Sequence, residues 1–180
     1  MIRLLDLSQT DIRDIFARSS PMEDVAAPVA AIIAAVRAEG DAALARYGAQ
    51  FDGVAPSPLQ VTAQELEEAM EQVESRLLSV LKRAAANIRT FHQNQVRSSF
   101  LTSTGPGVIL GQKVMPIEKV GLYVPGGTAR YPSTVLMDAI PAKLAGCPDL
   151  VMVTPPGKDG KIPAPILAAA RVAGVDHIFK

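Results

Sequence analysis

Tryptophan is missing from these 180 residues, aromatic residues make up only 4%, cysteine occurs once and histidine twice. A lone cysteine excludes an intrachain disulfide framework and suits a reducing, cytoplasmic setting. Zinc sites gather three or four nitrogen, oxygen or sulfur ligands at one point. His92, His177 and Cys147 stand far apart without ligand spacing, so the residues offer no metal ligand. Charge of one sign is also lacking: 18 basic residues balance 18 acidic ones, which removes any global pull toward nucleic acid or an anionic membrane. No uncharged apolar run approaches the length needed to span a bilayer. Met1–Asp6 lacks the basic, apolar and cleavage regions of a signal peptide.

What is present is a hydrophobic content of 48%, enough for a genuine core in one large or two small domains. Ser8 and Asp11 resemble a capping arrangement ahead of a short amphipathic helix with Ile12, Ile15 and Phe16. A second helix is expected from about Met22 to Glu39; its alanine-rich stretch Val25–Val36 reads as buried. Gly40 closes it, and Asp41 caps a shorter helix, Ala42–Tyr47. Leu59–Val61 is a possible edge strand after the turn-rich Asp52–Pro58. Thr62 and Glu65 form a capping box, and helical spacing continues to about Gln95, with a break expected near Val73–Ser75. The second half of that stretch aligns Leu77, Leu81, Ala84, Ile88 and Phe91 on one apolar stripe. Ser98–Gly107 reads as a loop and Val108–Met115 as a strand. From Val120 the rhythm becomes strand, helix, strand, helix, strand, the pattern of parallel βαβ units.

Within that rhythm, Val120–Val124 reads as a short strand that breaks at Pro125-Gly126-Gly127. Ser133 or Thr134 then caps a helix, which Pro141 should kink or shorten. A strand, a glycine loop and a helix N-terminus can hold a phosphate-bearing cofactor. They also occur as a plain structural junction, and neither Gly-x-Gly-x-x-Gly nor a P-loop is present. Tyr123 lies where a parallel strand ends, the edge at which open α/β sheets bind ligands, and a strand-end core tyrosine is the alternative.

The wording of these segments resembles the histidinol dehydrogenase family: Gly121-Leu122-Tyr123-Val124-Pro125-Gly126-Gly127, then Tyr131-Pro132-Ser133-Thr134-Val135-Leu136-Met137, then Ala139–Cys147 and Val151–Gly157. Glu39–Leu44, Phe51-Asp52 and Asn87–His92 match the same family. The resemblance implies an NAD-dependent, zinc-containing enzyme of histidine biosynthesis. Such an enzyme oxidises L-histidinol to L-histidine through an aldehyde and works as a homodimer. It further implies that Tyr123 contacts NAD and that Pro125, Gly126 and Gly127 form the adjoining loop. The family's zinc ligands and Glu–His acid–base pair lie beyond the part that matches, so no catalytic or metal residue carries over. The expected fold is α/β: a mainly helical region, residues 1–119, then the opening of a Rossmann-like NAD-binding domain, residues 120–180. Three parallel strands are few for a doubly wound sheet, so the chain reads as truncated, and it is expected to be inactive alone.

Other residues have plainer readings. Glu67, Glu68, Glu71 and Glu74 suit a solvated helix face, and His92 suits a helix end. Cys147 suits a small buried thiol. Lys143 and Arg130 flank the loop and suit either cofactor phosphates or the surface. The rival functions are another NAD-dependent alcohol or polyol dehydrogenase, and a short non-catalytic oligomerisation or regulatory chain.

Overall fold

The computed structural model describes residues 6, 8–13, 25–126 and 131–180. The chain divides into two compact units, Met1–Ala43 and Leu44–Lys180. In the first, helix α1 spans Ala26–Glu39 and ends at Gly40, whose N–H donates to the Val36 carbonyl. The expectation of a buried helix fails here: no residue of α1 is buried, and Val29 and Ile33 remain 48% and 46% exposed. Apolar spacing identifies a greasy face but not whether anything meets it. Most of the first amphipathic helix, Met22 to Asp24 and Arg130 lie outside the described residues.

Helix α2 spans Asp41–Phe51, one turn longer than the spacing suggested. Helices α3 (Ala63–Gln72) and α4 (Ser75–His92) follow, with the break at Val73–Glu74 as expected. The Thr62 hydroxyl accepts from the Glu65 N–H at 3.1 Å while the Glu65 carboxylate accepts from the Thr62 N–H at 2.9 Å, so the capping box is complete. Leu81 is buried; Leu77, Ala84 and Ile88 pack beside the core, while Phe91 at the end of the stripe is 66% exposed.

The loop expected at Ser98–Gly107 is instead mostly strand β1, Phe100–Gly105, paired antiparallel with β2, Val108–Gln112. Serine and threonine suit an exposed ribbon, and an exposed strand needs no alternating burial to announce it. Gly111 is required by the pairing, since a Cβ there would come within 2.5 Å of the Phe100 carbonyl oxygen.

Strand β3 (Lys119–Tyr123), helix α5 (Pro132–Leu144), strand β4 (Asp149–Val153), helix α6 (Ala164–Ala173) and strand β5 (His177–Phe179) complete the order. The sheet is parallel with order β3-β4-β5. Helix α5 begins at Pro132 and not at a Ser133 or Thr134 cap; Tyr131 is the N-cap residue and makes no side-chain bond. Proline suits the first helical position, where its missing N–H costs nothing. The helix then continues through Pro141 to Leu144. Two crossovers of one hand in one direction place both helices on the same sheet face. Leu150, Met152 and Ile178 are therefore buried on that face, with Val120 and Leu122 packed beside them. Against these residues lie Val135, Leu136, Ala139 and Ile140 of α5, each at most 1% exposed. Each large side chain so buried contributes about 1.5–3 kcal/mol. Helices α3 and α4 pack outside, α3 on α6 and α4 on α5.

The edge strand expected at Leu59–Val61 is realised as a bridge beside β5. The Val61 N–H donates to the Ile178 carbonyl, and the Lys180 N–H to the Leu59 carbonyl, both at 2.9 Å.

Candidate functional site

Alternation along β3–β5 sends every second side chain to the face that α5 and α6 leave open. Tyr123, Val153 and Phe179 are register partners, so they form one row on that face at the carboxyl ends of the strands. Tyr123 is 65% exposed, so its ring stands free at the edge where parallel α/β sheets receive ligands. The core-tyrosine alternative is excluded. Its successor Val124 is fully buried and its N–H donates to the Val153 carbonyl at 3.0 Å, which anchors the loop base. Pro125 and Gly126 are exposed. A Cβ on Gly126 would meet the Pro155 ring at 3.1 Å, so glycine lets the two loops following β3 and β4 close on each other. Gly127 lies outside the described residues.

An NAD molecule would find here an open aromatic ring, exposed loop backbone and a nearby helix start, so the residues fit one side of a dinucleotide site. Zinc does not fit: among the described residues no group of three or more histidines, cysteines, aspartates or glutamates comes together.

The other candidates fall elsewhere. Lys143 does not face the loop. Its ammonium lies 2.5 Å from the Asp176 carboxylate, which also accepts the Leu150 N–H at 2.8 Å, at the amino edge of the sheet opposite Tyr123. Burial raises the Asp176 pKa, yet Lys143 and that N–H outweigh it and hold it below its usual value. His177 is at the same amino edge, its Nε2 3.6 Å from Asp149 Oδ1. The His92 ring bonds Gln95 Oε1 at 2.7 Å, consistent with a helix-end role. It also lines a cavity of about 330 Å³ with Arg97, Met115 and Pro141. Cys147 is buried, as expected. Burial raises the Glu65 pKa, but Lys180 and Thr62 outweigh this and leave it lowered. Burial alone raises that of Asp138.

One feature escaped sequence reasoning. Tyr47 and Phe51 stack with centroids 5.7 Å apart and planes 2° from parallel, and they line a cavity of about 400 Å³ that also touches Val153 and Phe179. The available signal was two aromatics four residues apart on one helix face.

A helix-backed parallel βαβ layer with a tyrosine open at its carboxyl edge defines an α/β protein of the nucleotide-binding type. Comparison with known proteins narrows this. The family described as Histidinol dehydrogenase matches residues 17–180. Histidinol dehydrogenase of Methanosarcina barkeri is 44% identical over 99% of this chain and 41% of its own length. That of Geobacillus kaustophilus is 51% identical over 83% of this chain and 35% of its own. The crystal structure of histidinol dehydrogenase from Elizabethkingia anophelis superposes with a TM-score of 0.85 at 35% identity, covering 89% of this chain and 37% of that one. The chain belongs to the histidinol dehydrogenase family. It spans about two-fifths of the length of the curated relatives it matches, corresponding to their N-terminal portion.

Proposed function

We propose that this chain is the dinucleotide-receiving N-terminal portion of an enzyme that oxidises L-histidinol to L-histidine through an aldehyde, with NAD as acceptor, in cytoplasmic histidine biosynthesis. The observation that carries the reading is the exposed Tyr123 ring at the carboxyl edge of β3, in a chain of this family. Residues 120–180 open the NAD-binding domain, and residues 1–119 belong mainly to the domain before it. Tyr123 holds one face of the cofactor, and Pro125, Gly126 and Gly127 let it approach the backbone. Bound NAD supplies the hydride acceptor. Alcohol oxidation also needs a base for the hydroxyl proton, which in this reading the longer protein supplies. Zinc and the second subunit of a homodimer belong to the longer protein in this reading.

Calorimetric titration of NAD into the chain tests it. Binding should weaken about three- to tenfold in Tyr123→Ala, the loss of one aromatic contact worth about 0.5–1.5 kcal/mol. Unchanged binding would remove the tyrosine from the site. The chain alone should produce no NADH from histidinol. A chain of this sequence extended to the length of its relatives should do so. An extended chain oxidising a different alcohol and leaving histidinol untouched would overturn the substrate.

A further inference from the structure

We propose that the cavity lined by His92, Gln95, Arg97 and Met115 binds a small monocarboxylate carrying an apolar tail, at the edge of the sheet away from Tyr123. Val114 and Met115 stand ahead of β3, and Leu144 and Ala145 close α5 ahead of β4, so the cavity sits at the amino edge of the parallel strands. Neither Tyr123 nor the loop after it lines the cavity. It measures about 330 Å³, within the range of about 300–1,000 Å³ typical of ligand pockets.

The chemistry of the lining selects the ligand. The His92 ring bonds Gln95 Oε1 at 2.7 Å, so Nδ1 carries the proton and the Gln95 amide nitrogen is left to donate. The Arg97 guanidinium has no hydrogen bond or ion pair among the described residues, and no acidic residue lines the cavity. Two donors two residues apart, one of them charged, suit a carboxylate, which the planar guanidinium holds through two parallel bonds. A doubly charged phosphate would meet only this one permanent cation. The rest of the wall is apolar, and Val96 and Met115 remain 54% and 64% exposed, so a tail lying over them gains burial. The carboxyl end of α5 carries partial negative charge. Its Pro141, Ala142 and Lys143 carbonyls, however, already accept the Ala145, Cys147 and Gly146 N–H groups, so they are satisfied within the backbone.

NMR titrations of the isotope-labelled chain with hexanoate, acetate, hexylamine and inorganic phosphate test this. Hexanoate should shift the His92, Gln95 and Arg97 signals and bind about tenfold or more tightly than acetate, whose single methyl covers little of the apolar wall. Hexylamine and phosphate should both bind more weakly than hexanoate. Arg97→Gln should weaken hexanoate about three- to tenfold, and Ala145→Phe, which places a ring in the cavity, should weaken it further. Arg97 and Ala145 are exposed, so both variants should fold, with circular dichroism melts as the check. Tyr123→Ala, at the opposite edge, should leave hexanoate binding unchanged. If hexylamine binds as tightly as hexanoate, or Arg97→Gln binds hexanoate as well as the parent chain does, the cavity is an apolar groove only and the carboxylate assignment fails. Tighter binding of phosphate than of hexanoate would overturn the ligand class. Absence of saturable hexanoate binding, or binding lost in Tyr123→Ala, would overturn the site.

Discussion

The β1–β2 ribbon and the β3–β4–β5 sheet are built from comparably apolar strands and meet opposite surroundings. In the ribbon, Leu101 and Ile109 are 79% and 72% exposed, and every residue of β2 faces solvent. In the sheet, Leu150 and Met152 are fully buried beneath two helices. Apolar content does not make a core. The sheet has one because β3 and β4 are each followed in sequence by a helix whose apolar face returns to it, whereas no helix lies between β1 and β2 or between β2 and β3. A two-stranded ribbon by itself is marginal in water, so this one is held by its pairing and by Ser99, whose hydroxyl accepts the Val114 N–H at 2.8 Å.

The contrast can be tested by mutation. Leu136→Ala, which empties a site 1% exposed between α5 and the sheet, should cost about 2–5 kcal/mol in urea unfolding, whereas Ile109→Ala on the ribbon should stay within about 0.5 kcal/mol. Equal losses at both positions would mean that something covers the ribbon in solution. Thr62→Ala removes the cap of α3 and should cost about 1 kcal/mol by the same measurement.

Acid should expose the ion pairs that lace the sheet. Glu65 and Asp176 have folded-state pKa values lowered from 4.5 and 3.8, so their contribution is present above those values and fades as pH falls through the folded ones. Unfolding midpoints measured from pH 7 down to pH 3 should fall, and Glu65→Gln should flatten the profile. Asp138 runs the other way. Its raised pKa means that its contribution is complete below 3.8 and is lost as pH rises through the folded value, so at neutral pH its charge is a small burden. Asp138→Asn should be neutral to slightly stabilising at pH 7, and clear destabilisation would point to an unrecognised partner.

Much of this was legible in the chain itself. The Thr62 capping box, the break before Ser75 and the βαβ rhythm after Lys119 follow from local chemistry that tertiary contacts reinforce. The misreadings share a cause. The spacing of Val25, Val29 and Ile33 described a face and left open whether it would be covered, and β1 carries a serine and two threonines whose strand state depends on pairing with β2. The cap of α5 was placed two or three residues late because Pro132 initiates the helix without a side-chain cap. For the site, the strand end at Tyr123 was visible from the break at Pro125. The aromatic cavity was not, since Tyr47 and Phe179 are 132 residues apart in the chain and meet only through the fold.

The bridge between Leu59–Val61 and β5, reinforced by Lys180 on Glu65, joins positions more than a hundred residues apart. Contacts this distant along the chain slow the search for the native state, because a large loop must close before the contact returns any energy. Helices α3 and α4 can form early from neighbouring residues, but the sheet edge beside β5 cannot be sealed until residues 177–180 have been made. A chain cut before His177 lacks both bridge bonds and should therefore be cleaved by proteases at Leu59–Val61 faster than the chain carried through Lys180.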